Sequence, residues 1–274
     1  MTNLAHLPSR GVIDIAGDDR ITFLQGLVSN DVTQAAPGRA VWTAFLSPQG
    51  KWLSDFFVLA EAERLLLDCP GEHIAALLAK LSRFRLRSKV TLRDASAELA
   101  VHAAWGGTPE LPPGSIAAPD PRLPDAGWRI LSAETLPATA DAAGWDAHRI
   151  ALGLPDAGDL DPDRTLLLEA GFDELNGVSW SKGCYMGQEL TARSKYRGLV
   201  KRRLVPVAVD GPLPAPFTPV LLDGQGVGSL RSVRGAAGLA VLRLEALEAG
   251  ALDCGEARLT PHVPAWLRLP QTAA

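Results

Sequence analysis

The chain has 274 residues, of which 47% are hydrophobic and 21% charged, and this composition excludes an intrinsically disordered protein. Its formal net charge of −4 provides no overall attraction to nucleic acid, so any anion-binding site has to be local. Three cysteines without CxxC spacing exclude a disulfide scaffold. Because the first residues lack the pattern of a secretion signal and no run reaches ~18 apolar residues, we expect a cytoplasmic location and no membrane partner.

Residues 1–95 are predicted to form an α+β domain with a largely antiparallel sheet. The alternation in GVIDIAG (11–17) predicts a strand, and apolar residues from Ile21 to Val28 at helical spacing predict a helix after it. The segments AVWTAFL and WLSDFFVLA flank a turn with Pro and Gly, which predicts a hairpin. A strand (RLLLDC), a helix that Pro70 opens and a further strand (KVTLRD) are predicted to follow.

The rest of the chain is predicted to form three further parts. Residues 96–147 are rich in Ala, Pro and Gly and are predicted to be a small α+β domain with strands in AELAVHAAW and GWRILS. Residues 148–200 are predicted to pack back on the first two domains. Short strands between Gly-rich turns in residues 201–274 predict an antiparallel barrel of about six strands.

Cys184 lies between two glycines in SWSKGCYMGQELTAR (179–193), just before a predicted helix. The positive end of the helix dipole and the charge of Lys182 both favour a thiolate, which makes Cys184 a candidate nucleophile or soft-metal ligand. Alternatively, it is a small apolar residue in a turn whose glycines serve only the backbone angles. Cys69 and Cys254 are expected to be core residues.

The segment between positions 182 and 203 is strongly basic and contains one acid, Glu189. Its basic residues are Lys182, Arg193, Lys195, Arg197, Lys201, Arg202 and Arg203. Such a band is either a solvated helix face with a linker or a cradle for a polyanion. Because few aromatic residues lie among the charges, we expect a small anionic ligand rather than nucleic acid.

Trp145 and Arg149 stand four residues apart in a predicted helix and therefore share one of its faces. Together they could stack on and hydrogen-bond a flat heteroaromatic ring. The alternative is a core tryptophan beside an arginine that reaches solvent. The spacing alone does not choose between these two interpretations.

The stretch KGCYMGQE (182–189), followed by Ala192-Arg193 and Arg197-Gly198, resembles the KGCYxGQE signature of the YgfZ family of folate-binding proteins. That family is related to the glycine-cleavage T-protein and to a mitochondrial iron–sulfur assembly homologue. Four other segments match it in the same order: FLQGLVSNDV (23–32), SPQGKWLSDFF (47–57), WDAHRIALGLP (145–155) and LLLEAGFDELNGVSW (166–180). The resemblance covers most of the chain and is weakest in residues 103–143 and in the barrel.

The resemblance implies a T-protein-like α+β fold of three domains, with a ferredoxin-like domain in the centre, a C-terminal β-barrel and a central tetrahydrofolate channel. It implies an accessory protein for iron–sulfur cluster assembly or repair that indirectly supports tRNA modification. Cys184 would be its functional thiolate and would share a cluster with an assembly partner, a client protein or a small thiol. Trp145 is implied to contact the folate, and Arg10 replaces a second tryptophan of this kind. The other implied pocket residues are Asn30, Asp31, Arg149, Glu169, Lys182, Tyr185, Gln188 and Arg193.

Two alternative functions remain. A folate-dependent one-carbon transferase of the aminomethyl type needs a titratable acid within hydrogen-bond reach of its substrate. We match no such aspartate in this sequence, so whether the chain is an enzyme stays open. A tRNA-binding modification factor would use the basic residues between positions 182 and 203.

Overall fold

The computed structural model describes residues 2–269, which divide into two compact units. The first unit takes the described residues up to 49 together with residues 53–145 and 176–188. The second takes residues 50–52, residues 146–175 and the described residues from 189 onward. Two open sheets belong to the first unit and a closed barrel belongs to the second.

The two open sheets are antiparallel in the strand pairings that set their registers. Their strands are β1 (Asn3–His6), β2 (Arg10–Ala16), β3 (Val41–Leu46), β4 (Trp52–Glu61), β5 (Arg64–Pro70), β6 (Thr91–Asp94), β7 (Ala100–Trp105), β8 (Ile116–Pro119) and β9 (Trp128–Ser132). One sheet has the order β3-β4-β5-β2-β6, and the other has the order β1-β7-β9-β8.

The α-helices of the described chain are α1 (Arg20–Gln25), α2 (Ile74–Arg85), α3 (Ala142–Leu152) and α4 (Gln188–Tyr196). Helix α1 ends before Val28, where a longer helix was expected, because Val28 forms an isolated β-bridge with Phe45. Pro70 does not open α2. It is the last residue of β5, and a 3-10 turn (Gly71–His73) precedes the helix.

One apolar core holds the five-stranded sheet together with α1 and α2. Ile74, Leu77 and Leu81 are the buried residues of α2, and their spacing of three and four places them on one face of the helix. That face joins Ile13 and Ile15 of β2 in a single cluster of buried side chains. The cluster anchors the sheet in which Arg10 is the first residue of β2.

The second unit contains the six-stranded closed barrel that the sequence predicts. Its strands are β10 (Arg202–Asp210), β11 (Pro219–Leu222), β12 (Gln225–Arg234), β13 (Ala237–Arg243), β14 (Leu252–Cys254) and β15 (Ala257–Pro261), paired in the order β10-β13-β12-β11-β14-β15. Gly228 allows β12 to approach β13 closely, since a Cβ there would lie 2.0 Å from the carbonyl oxygen of Val241.

Strands β1 and β8 are absent from the sequence prediction. Each has four residues and no clear alternation, and β1 pairs with β7 about a hundred positions later along the chain, with Asn3 opposite Trp105. The predicted domain limits at positions 95, 147 and 200 stay predictions. Within residues 2–269, no helix combines the length and apolar character needed to cross a bilayer.

Candidate functional site

Cys184 is exposed on a short loop, Ser181–Gly187, which we call the cysteine loop. Gly183 and Gly187 flank it with φ angles of +95° and +81°, in the left-handed region that favours glycine. A Cβ on Gly183 would meet no atom within 4 Å, so the backbone angle alone explains the glycine. The turn therefore presents the thiol outward instead of packing it.

The other two cysteines are buried, as expected. Burial raises the pKa of the Cys69 thiol to about 12, and burial also raises the pKa of Cys254. Both thiols are therefore poor nucleophiles and poor ligands near neutral pH. Of the three cysteines in the chain, Cys184 is the one that another molecule can reach.

Lys182 ties the cysteine loop to the chain that follows helix α1. Its Nζ donates hydrogen bonds of 2.6 Å to the carbonyl oxygens of Gln25 and Val28, and it lies 5.2 Å from the ring centroid of Tyr185. Burial lowers the pKa of Lys182 to about 8, against a weaker opposing attraction from Asp31. The side chain thus acts as an anchor for the loop.

Two further hydrogen bonds complete the base of the loop. The amide of Met186 donates to the carbonyl oxygen of Gly26 at 3.2 Å, and the amide of Tyr185 donates to Oε1 of Gln188 at 3.1 Å. Tyr185 itself is buried. Three of the sequence-predicted residues, Lys182, Tyr185 and Gln188, therefore hold the segment that carries Cys184.

Asn30 and Asp31 lie in the segment to which the cysteine loop is tied. Asn30 Nδ2 donates to the carbonyl oxygens of Trp42 and Asn176, at 2.8 and 2.7 Å. Asp31 accepts hydrogen bonds from Thr33 and Gln25, and the bond from the Thr33 hydroxyl is the largest of the causes that lower the pKa of Asp31. Both residues brace the backbone that accepts from Lys182.

Two further predicted residues, Arg10 and Trp145, belong to a buried cluster of three guanidinium groups and three aromatic rings, which we call the arginine–aromatic cluster. Its members are Arg10, Arg122, Arg129, Trp42, Phe57 and Trp145. Arg129 Cζ lies 4.6 Å from the ring centroid of Phe57 and 5.7 Å from that of Trp145. The structure thus brings Arg10 and Trp145, which are 135 positions apart in the sequence, around shared neighbours.

Aspartates balance the arginines of this cluster. Asp68 is fully buried and accepts from Arg10 Nε at 2.5 Å and from Arg129 Nε at 2.8 Å. Arg122 pairs with Asp120 at 2.7 Å. The indole N–H of Trp42 donates to Asp55 at 2.8 Å. Three cations therefore face three carboxylates, so the cluster carries little net charge.

Sequence reasoning missed Asp68, Arg122 and Arg129. Asp68 stands in the apolar run RLLLDC and Arg129 stands in GWRILS. A charge inside a buried strand is rare unless it is paired, and that rarity was the available signal. A rare buried charge does not identify its partner, however, and Asp68 and Arg129 are 61 positions apart in the sequence.

The remaining predicted residues, Arg149, Glu169 and Arg193, lie in the second unit. Arg149 is buried and donates to Asp146 at 2.5 Å, to Asp159 at 2.6 Å and to Ser232 at 3.0 Å, so it does not reach solvent. Burial raises the pKa of Glu169. Arg193 forms an exposed ion pair with Glu189, one turn earlier on α4.

The basic segment between positions 182 and 203 does not form a continuous positive face. Lys195 pairs with Asp173 at 2.8 Å and Arg203 pairs with Glu174 at 3.0 Å, in addition to the pair of Arg193. These two acids precede the segment in the sequence, which is why the local composition concealed them. Lys182 is occupied by the carbonyl oxygens described above.

Within residues 2–269, no group of three or more His, Cys, Asp or Glu side chains is arranged to hold a metal ion.

Comparison with known proteins gives both a family and a fold. Residues 201–269 match the family model of the CAF17 C-terminal beta-barrel domain. The chain is 34% identical to the mitochondrial iron–sulfur cluster assembly factor IBA57 of Mus musculus over an alignment of 304 positions, gaps included. The alignment covers 95% of this chain and 84% of that protein. It is 37% identical to a mitochondrial IBA57 homologue of Mycosarcoma maydis over 229 residues, 75% of this chain and 57% of the longer relative.

The structure resembles the glycine cleavage system aminomethyltransferase T from Bartonella henselae, with a TM-score of 0.75 and 14% identity over 97% of this chain and 86% of that one. At this identity the likeness concerns the fold alone, and it confirms the predicted T-protein-like α+β fold. The relatives are named as mitochondrial proteins, which overturns the expected cytoplasmic location. The KGCYxGQE signature stays a prediction.

Proposed function

The chain belongs to the family of the iron–sulfur cluster assembly factor IBA57, and from this premise we propose that it acts in the assembly of iron–sulfur proteins. In this proposal Cys184 is a thiolate ligand that holds a cluster jointly with ligands of a partner. The exposure of Cys184 carries the proposal, because the other two cysteines are buried.

The geometry of the cysteine loop suits a ligand that is shared and then released. Lys182 and Met186 fix the base of the loop, while the thiol itself faces outward. Thiolates are the preferred ligands of iron–sulfur clusters, and a full set comprises four. One protein thiolate therefore leaves coordination sites for an assembly partner or client protein, as transfer between proteins requires.

A reconstitution experiment tests the role of Cys184. Purified full-length protein is incubated with ferric iron, sulfide and glutathione, and its bound iron and visible absorption are measured. Wild type and the Ser181→Ala control, which changes an exposed neighbour in the same loop, are expected to take up a cluster. Cys184→Ser is expected to lose it. Equal cluster uptake by Cys184→Ser would contradict the proposed ligand.

We propose that tetrahydrofolate or a derivative binds beside the arginine–aromatic cluster. The residues present fit such a group, since a flat heteroaromatic ring can stack on an indole and guanidinium groups can hold a carboxylate. Asp68 already accepts from Arg10 and Arg129, so we expect the ring of Trp145 to supply most of the binding.

Titration of tetrahydrofolate into the full-length protein tests this part independently of the cysteine. Trp145→Ala is expected to weaken binding by roughly tenfold, because a ring contact of about 1.5 kcal/mol is lost. Cys184→Ser is expected to bind as wild type does. If Trp145→Ala keeps its affinity and its fold, the folate site lies elsewhere.

Support of tRNA modification is proposed to be indirect, through enzymes that themselves need iron–sulfur clusters. Direct contact with tRNA is the weaker alternative because ion pairs interrupt the basic segment. A steep fall of tRNA affinity with salt would revive it, whereas a flat response would remove it.

A further inference from the structure

The end of helix α2 and the turn after it, Lys80–Lys89, form an exposed basic surface that we call the basic tip. Its cations are Lys80, Arg83, Arg85, Arg87 and Lys89, and all five side chains are exposed. None of them forms an ion pair with a described residue. Five unpaired cations in ten residues are notable in a chain whose net charge is −4.

Leu86 ends α2 in a conformation that its own side chain disfavours. Its φ is +42° and its ψ is −106°, at the helix end where glycine or asparagine is usual. The side chain is 88% exposed, so the fold gains almost no apolar burial in return for the strained backbone. The strained backbone at Leu86 is therefore not offset by burial of its side chain among the described residues.

An open cleft of about 760 Å³ lies beside Leu86. Asp19, Phe84, Leu86, Arg87 and Ser88 line it. Phe84 is 40% exposed, and its ring packs edge to face on the buried Phe45 with centroids 6.5 Å apart. The core thus holds one apolar wall of the cleft in place.

We propose that the basic tip is a docking surface for an acidic segment of a partner polypeptide that inserts an apolar side chain into this cleft. The five cations fit an acidic segment by charge, and Phe84 and Leu86 supply apolar walls. A polypeptide fits better than an anionic bilayer, because a bilayer surface presents no discrete apolar side chain to fill the cleft between Phe84 and Leu86. This surface is separate from the residues that carry the proposed function.

A binding assay tests the docking surface on the full-length protein. The probe is a fluorescently labelled peptide, EEDLFEDLEE, followed by anisotropy at several salt concentrations. Wild type is expected to bind with an affinity that falls as salt rises. Leu86→Gly is expected to weaken binding roughly tenfold, since it removes an apolar contact, while the thermal midpoint stays the same or rises because the strain is relieved.

Two triple variants separate this surface from general attraction of acidic peptides. Arg83→Gln with Arg85→Gln and Arg87→Gln is expected to abolish most binding. The matched control, Arg197→Gln with Lys201→Gln and Arg202→Gln, removes the same charge elsewhere and is expected to bind as wild type does.

Three results would overturn the proposal. The first is unchanged binding by Leu86→Gly, and the second is an equal loss in both triple variants. The third is capture of the protein by phosphatidylglycerol vesicles without saturable binding of the peptide, which would assign the basic tip to a membrane surface instead.

Discussion

Lys182 buries a cationic amine against two carbonyl oxygens, and this position makes the stability of the cysteine loop depend on pH. Burial lowers the pKa of Lys182 from 10.5 to about 8. The folded protein therefore releases this proton first as the pH rises. Below about 8 both folded and unfolded chains are protonated and the burial penalty is complete, whereas above 10.5 both are neutral and the penalty is gone.

We therefore predict that wild type gains stability relative to Lys182→Met as the pH rises through the window from about 8 to 10.5. The methionine variant keeps a chain of similar length but has no titrating amine, so the difference between the two isolates this group. Urea unfolding at several pH values across the window provides the measurement. A difference that stays constant with pH would contradict the burial of the protonated amine.

Asp68 is the buried carboxylate on which two arginines of the arginine–aromatic cluster depend. We predict that Asp68→Asn lowers the free energy of unfolding by about 3–5 kcal/mol, because it leaves Arg10 and Arg129 without their counter-charge in the interior. The control Asp173→Asn removes a partly exposed partner of Lys195 and is expected to cost less than ~1 kcal/mol. Similar urea midpoints for the two variants would argue against a buried ionic cluster.

The backbone conformation of the cysteine loop depends on the left-handed φ angle of Gly183. Gly183→Ala is predicted to cost about 1–2 kcal/mol of backbone strain, since its φ is +95° and a Cβ would touch nothing. Gly158→Ala is a matched control, because a Cβ there also meets open space but the φ is not in the left-handed region. Urea unfolding and the alkylation rate of Cys184 would measure the effect.

We expect Gly183→Ala to change the alkylation rate of Cys184 while the rest of the fold persists. Gly158→Ala should match wild type in both measurements. If both alanine variants behave alike, the left-handed angle at Gly183 does not shape the loop.

The predictable elements were those whose signals are local. Alternating residues and Gly-rich turns were sufficient to predict the barrel and the β3–β4 hairpin. Strand β1 and the end of α1 depend instead on distant pairing, with β7 and with Phe45. The same division applies to the site. The motif around Cys184 could be found from sequence, whereas the pairing of Asp68 with Arg129 required the fold.

At the level of the complete chain, fold and family support different conclusions. The aminomethyltransferase-like fold at 14% identity leaves the chemistry open, because one fold carries many functions. Relatives at 34% and 33% identity over most of both chains establish the family, and the exposed Cys184 indicates how this chain could serve it. From the family and from the exposure of Cys184 we infer the central claim, that this thiol is needed for the maturation of iron–sulfur proteins.

The most direct test of that claim is complementation in cells that lack their own member of the family. Wild type, Ser181→Ala and Cys184→Ser are expressed to equal levels, and the activity of an enzyme that depends on an iron–sulfur cluster is measured. We predict that wild type and Ser181→Ala restore the activity and that Cys184→Ser does not. Full restoration by Cys184→Ser would contradict the role assigned to this thiol.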